Sequence, residues 1–341
     1  MGLFRSLFGG RTTGAPGNPD EAAIGEAIER LVEETDPRIR LIRRYAEKLH
    51  SGVETALRHN RDIVARIPGP IVLDAKSWST DPLVNAAFAR AGDIPGVVSR
   101  SVEVREFFER GAGRGTNECF ALFGMQRAER RIFGKELMGE VVQSDVVQTA
   151  VSFTNHRMIA PALTETELRR QIEQRAFHHL AEEAMDQVSR AFEREKGLEE
   201  QRAMLRLKVK VMRRQHRGLE ALVEAEPEAS PDVQELQREL GEVETRLRQL
   251  HVTLSNLENY VPHLNKVLGH PKEHLTLQEV PLRLNRMNIV VSKATDEPIH
   301  ELRLAEVKLR DGRCFALLLV KCTRDDLRPQ RDLWEEAVRE L

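Results

Sequence analysis

The chain has 341 residues, enough for two domains of ordinary size or for one carrying a large extension. Its 52 Lys and Arg against 54 Asp and Glu leave a formal net charge of −2, which excludes a polycation or an acidic-tail protein as a whole-chain description. Three cysteines without a CxxC pair exclude a disulfide scaffold and a four-cysteine zinc site, and no apolar run approaches the roughly 20 residues that span a bilayer.

Residues 1–17 read as a tail. Leu3, Phe4, Leu7 and Phe8 share one face of a short helix and form a hook for peripheral contact with a membrane surface or a partner. Met1-Gly2-Leu3-Phe4-Arg5-Ser6 also fits the loose myristoylation pattern, and Gly9 to Gly17 reads as a linker. No secretory signal pattern is present, so a cytoplasmic protein is expected.

Residues 18–116 carry helical signals. Asn18 followed by Pro19 reads as an N-cap and first helical position, with Ile24, Ile28 and Leu31 as the apolar stripe. Asp36-Pro37 repeats the device ahead of a longer face made by Ile42, Tyr45, Leu49, Val53, Ala56, Ile63 and Ile67. Asp81-Pro82 and Ser101 cap shorter helices near 82–91 and 102–110, and Gly111, Gly113 and Gly115 form a flexible connection.

The period then changes. Within 117–163, the short apolar run from Glu118 to Met125 predicts a buried strand, 130–136 a weaker one and 146–159 another. Residues 164–269 predict a helical hairpin, opened by a capping box of Thr164 and Glu167. In its second arm, positions 233, 236, 240, 243, 247, 250, 254, 257, 261, 264 and 268 are all Val or Leu. Eleven consecutive matches over five heptads predict a coiled coil, with Pro262 kinking or restarting the last turns. Residues 270–341 return to strands: 282–291, then 301–310 and 313–322 joined at Asp311-Gly312, read as a type I′ hairpin that opposes Leu309 to Cys314 and Glu306 to Leu317. A closing amphipathic helix carries Leu333, Trp334, Ala337, Val338 and Leu341. The predicted class is α+β: N-terminal helices and an antiparallel sheet, with the coiled-coil hairpin inserted between strands.

The first hairpin arm holds two features of interest. Between Gln201 and Gly218 stand seven Lys or Arg and no acid, and Arg202, Arg206, Lys210, Arg213, Arg214 and Arg217 share one arc. That stripe suits a phosphate backbone, an anionic surface or an acidic partner, but Glu235, Glu239, Glu242 and Glu244 on the opposite arm are placed to neutralise it. Leu205, Val209, Met212 and Leu219 supply the seam, while Met204, Leu207, Val211 and Leu222 form a second apolar stripe that needs its own cover. The leading candidates to cover it are a second copy of the chain and the N-terminal helices.

No catalytic, cofactor or metal motif emerges. His178 and His179 stand four residues before Glu182 and Glu183, and His263, His270 and His274 cluster in sequence, but neither group has zinc-motif spacing. Cys119, Cys314 and Cys322 fall in strands and read as inert core thiols. The expected function is therefore a non-enzymatic scaffold or adaptor that works through the hairpin and self-associates. The alternatives are nucleic-acid binding through 202–217 and an enzyme with a pocket between the sheet and the N-terminal helices.

Overall fold

The computed structural model describes residues 20–138, 141–220, 231–254, 258, 260–291 and 298–328. The chain divides into two compact units, one within Met1–Ala56 and His178–His270, the other within Leu57–Phe177 and Pro271–Leu341.

In the first unit, α1 (Glu21–Glu34) starts at Asp20, whose carboxylate accepts the Ala23 N–H at 2.7 Å. Asn18 and Pro19, read as the start from sequence, lie outside the described residues. Asp36 does cap the next segment, accepting from the Arg38 amide at 2.9 Å, but the segment it caps is a 3-10 turn, Pro37–Leu41. The helix proper, α2, runs Tyr45–Ala65. Leu49, Val53 and Ala56 are fully buried, as the stripe requires.

The second unit takes in the end of α2 from Leu57 and then β1 (Ile71–Val72), followed by α3 (Ala75–Thr80), α4 (Pro82–Ala87), α5 (Asp93–Arg100) and α6 (Val102–Glu109). Asp81 accepts from Leu83 and Val84, and Ser101 from Val104, so both expected caps are present. The strands β2 (Glu118–Met138) and β3 (Val141–Ala162) are much longer than the sequence signal, and the weak candidate 130–136 is a continuation of β2. Past Met125, β2 leaves the central sheet and keeps β3 as its partner, so apolar alternation is no longer required. After the hairpin come β4 (Leu275–Leu284), β5 (His300–Leu309) and β6 (Cys314–Thr323). These labels leave α7 (Glu165–Glu220), α8 (Pro231–Leu254) and α9 (Tyr260–Gly269) between β3 and β4.

The sheet order is β3-β2-β6-β5-β4, antiparallel throughout, with β1 added in parallel to β6. Residues 289–290 bridge the two ends, Leu284 pairing with Val290 and Ala150 with Ile289, so the sheet curls round on itself. One face, with Cys119, Ala121, Phe123, Leu302, Leu304, Leu318 and Val320, packs on Val84, Phe88, Ile94, Val98, Val104 and Phe108 of the short helices. On the opposite face Leu122, Val307 and Leu319 are buried. There the part of α2 that belongs to this unit lies along β4, His59 bonding the Leu275 carbonyl at 2.7 Å.

The β5–β6 register differs from expectation by one residue: Lys308 opposes Cys314 and Glu306 opposes Ala316. A type I′ turn needs positive φ at both central residues, and only Gly312 has it (φ 86°). Instead Gly312 N–H returns to Leu309 and Leu309 N–H to Arg313, a three-residue loop with glycine at the bulge. A shift of one residue changes which cross-strand neighbours meet. Glu306 therefore stands on the buried face beside Ala316, where Arg127 bonds it at 2.5 Å.

Candidate functional site

The helical hairpin is the most distinct feature of the first unit. The α7 helix is 56 residues long without interruption, and the Glu167 amide bonds Thr164 Oγ1 at 3.2 Å at its start. Leu205 of α7 packs with Val243 and Leu247 of α8, flanked by Leu198, Leu236 and Leu240. Arg206 meets Glu244 at 2.6 Å, which together with the apolar contacts sets an antiparallel pairing. The seam residues Val209 and Val233 are also buried. The restart expected at Pro262 is present: α8 spans Pro231–Leu254 and α9 begins at Tyr260, which places Pro262 in a first turn, where its missing N–H has no cost. Val261, Leu264 and Leu268 are buried on α9. Asn265 of that helix donates to the Lys48 carbonyl at 2.7 Å, and a Cβ on Gly52 would collide with Asn265 Oδ1, so α2 and α9 cross closely where glycine allows it.

The second stripe of α7 has a different environment. Met204 is 62% exposed, Leu207 61% and Val211 45%. Among the described residues no helix of the chain buries them, and Leu222 lies outside that set. The basic stripe is partly committed: Arg206 pairs with Glu244, Arg202 is half-buried and Lys210 is exposed. The side chains of Arg213, Arg214 and Arg217 lie outside the described set. Of the four glutamates expected to neutralise the stripe, Glu235 instead pairs with Arg238 on its own helix, 3.6 Å away.

The second unit holds a cavity of about 490 Å³ between α5 and β3. Phe88, Val97 and Phe153 supply apolar wall, and Asp93, Arg100, His156 and Arg328 supply polar groups. The His156 ring stacks on Phe88 with centroids 4.9 Å apart and on Phe123 at 5.7 Å, and its Nε2 lies 2.8 Å from the Ala87 carbonyl. Burial pushes its pKa below the usual imidazole value, so at neutral pH the ring is uncharged and its Nε2–H donates to that carbonyl. Arg328 is tied to the wall by a 2.9 Å bond to the Gly92 carbonyl.

No protein-family model, curated protein or solved structure matches the chain.

The remaining sequence candidates resolve into local roles. His178 sits between Glu34 at 2.9 Å and Glu182 at 3.1 Å, and the Glu34 hydrogen bond raises its pKa. His270, just past the end of α9, lies 3.0 Å from the Lys266 carbonyl of that helix. Among the described residues no three His, Cys, Asp or Glu side chains converge as metal ligands. The glycine segment is a pinned turn rather than a flexible connection, because Arg324 bonds the carbonyls of Phe108 and Gly113 at 2.9 and 3.1 Å. Cys119 and Cys322 face each other across β2 and β6, Sγ atoms 3.1 Å apart and both fully buried. Leu3, Phe4, Leu7 and Phe8 and the closing helix 333–341 lie outside the described residues. The cavity residues escaped sequence reading because 93, 100, 156 and 328 share no spacing. Gly92 is the N-cap of α5, and Gly96 is a buried glycine inside that short helix.

Proposed function

We propose that this protein is a non-enzymatic scaffold whose helical hairpin pairs with that of a second copy through Met204, Leu207 and Val211. The observation that supports this reading is the exposure of three large apolar side chains on the side of α7 away from the α8 seam. Contiguous exposed apolar surface rimmed by charge is characteristic of association sites. Charge placement favours an antiparallel arrangement. Exposed Glu199 and Glu200 precede the stripe, and Arg213, Arg214 and Arg217 follow it in sequence. With two copies antiparallel about Leu207, position 200 of one faces position 214 of the other, acid to base; a parallel pairing would set base against base. Burying the three side chains in both copies contributes about 5–10 kcal/mol before association costs of similar size, which sets a dimer in the micromolar range or weaker.

No helix among the described residues is long and apolar enough to cross a membrane. A cytoplasmic setting belongs to the same reading, and cell fractionation tests it. Sedimentation velocity at about 1–100 μM tests the dimer. Wild type shifts from monomer to dimer over that range, and Leu207→Glu/Val211→Glu stays monomeric. A wild-type monomer throughout, or a dimer indifferent to both substitutions, overturns the proposal.

A further inference from the structure

We propose that Cys119 and Cys322 form a reversible disulfide, made by a peroxide and undone by a small thiol, that ties β2 to β6 at the centre of the sheet.

The geometry is already close to that of the bridge. Cys119 and Cys322 stand directly opposite each other in the antiparallel β2–β6 pair, and their Sγ atoms are 3.1 Å apart. Carbon atoms, which are smaller than sulfur, ordinarily keep about 3.5–4.0 Å between them. Opposed residues of an antiparallel pair have Cα atoms about 4.5–5.5 Å apart, inside the roughly 4.4–6.8 Å that a disulfide spans. Closing the bond at about 2.05 Å asks the sulfurs to approach by about 1 Å and asks no change of strand register. Metal binding is the other use of paired thiols, but it calls for further ligands, and among the described residues no third His, Cys, Asp or Glu joins them.

Burial sets the pace of the chemistry. Both side chains are fully buried on the helix-covered face of the sheet. The Cys119 hydrogen bond and burial push the Cys322 pKa above the usual thiol value, so the resting pair is slow to react. Position supplies the access that burial withholds. Cys119 is the second residue of β2 and Cys322 the last but one of β6, so fraying of one end of the ladder uncovers both. One sulfur, ionised, then attacks a peroxide oxygen; the O–O bond breaks, hydroxide leaves and takes up the released proton as water, and a sulfenic acid remains. The opposite sulfur attacks the sulfenic sulfur, the S–S bond forms, the S–O bond breaks, and the second thiol proton departs with hydroxide as another water. Two electrons have passed from the two sulfurs to the peroxide.

The two cysteines are 203 residues apart, and the helical hairpin lies within the loop they close. Closure of a long loop removes the most freedom from the unfolded chain, so the oxidised protein is the more stable form. In a reducing setting the pair rests as thiols and bridges only when an oxidant arrives.

The test uses the full-length chain with the partly exposed Cys314 replaced by serine, which leaves this pair as the only thiols. Folded Cys314→Ser protein is treated with about 1 mM hydrogen peroxide, quenched, and alkylated under denaturing conditions for intact mass. The expected product has lost about 2 Da, takes up no alkylating reagent and runs as a single chain on a nonreducing denaturing gel. Its thermal midpoint rises by about 3 °C or more, and dithiothreitol restores both mass and midpoint. In Cys119→Ala/Cys314→Ser the loss of mass disappears. Retention of both thiols after a day, gain of oxygen in place of loss of hydrogen, or a bridge that forms only in denaturing urea overturns the proposal. A bridge that lowers the thermal midpoint overturns it as well.

Discussion

Replacing Leu247 by alanine should loosen the helical hairpin and leave the rest of the chain folded. Leu247 is 5% exposed and sits with Val243 against Leu205 of the opposite arm. The substitution removes three carbon groups from that seam, at about 0.8 kcal/mol each, or about 2.4 kcal/mol. A two-helix seam is open at its sides, so water and neighbouring side chains close the gap and the cavity contribution seen in deep cores is small. About 2 kcal/mol remains, equivalent to roughly a thirtyfold change in the opening equilibrium. Hydrogen exchange read by mass spectrometry measures this directly, since amide protection reports local opening. At about 1 μM, where self-association contributes least, peptides covering 198–212 and 240–254 should lose protection by about thirtyfold in Leu247→Ala. Peptides from β2 and β6 should be unchanged. Leu207→Ala is the control, because that residue is 61% exposed and faces away from α8. Its protection should change by less than about threefold. Equal loosening by the two variants, or no change in Leu247→Ala, would refute the assignment of seam and free face.

Two further expectations concern charge. Arg127→Met should lower stability to urea by about 3 kcal/mol or more, because it leaves the buried Glu306 carboxylate without its partner, whereas Arg127→Met/Glu306→Leu should recover most of the loss; a neutral single variant would show that the carboxylate finds water or another donor. His178 should titrate above 6.5 and His156 below it, as read from imidazole proton shifts. Because Glu34 raises the folded pKa of His178, its stabilising contribution is complete below pH 6.5 and is lost as pH rises through the folded value. Solvent exposure keeps that contribution below about 1 kcal/mol, and Glu34→Gln should return the midpoint toward 6.5. His156 has the opposite sign, costing stability as pH falls below 6.5 through its depressed value, so His156→Gln should flatten the acid side of the stability profile.

The parts of this fold that were legible from sequence are those where local chemistry and burial agree. Asp81, Ser101 and Thr164 cap helices because side-chain oxygen and orphan amide are neighbours in sequence. The α7–α8 seam was legible because heptad spacing puts its residues on one face whatever they meet. By contrast, α3 is six residues of mostly polar character, with only the Asp74 cap to mark it, and α5 hides behind Gly92, Pro95 and Gly96. The outer halves of β2 and β3 were underread because they are not sandwiched in the core. There Phe133 and Val147 pair across the ribbon while exposed, and Arg127, Glu129 and Arg131 precede Phe133 on its own face of β2. The Asp311-Gly312 pair signalled a hairpin, but loop length depended on the φ of Asp311, and that decides whether Glu306 meets Ala316 or Leu317. The cavity was illegible because its walls come from α5, β3 and the segment after β6, brought together only by the sheet.

The middle strand of the sheet is also the last strand among the described residues. On the ribosome β2 and β3 are complete at residue 162, but β6, which covers the inner edge of β2 from Glu118 to Met125, begins only at 314. At about 5–20 residues per second the intervening 152 residues take roughly 8–30 s to emerge, and during that time the backbone edge beside Phe120 and Leu122 has no β6 to pair with. The inserted hairpin is what sets that delay. Its own seam joins residues only about 40 apart, so it can close first. The most aggregation-prone moment in the life of this chain is therefore during synthesis, and a chaperone that holds β-edges should matter more to its yield than its equilibrium stability does.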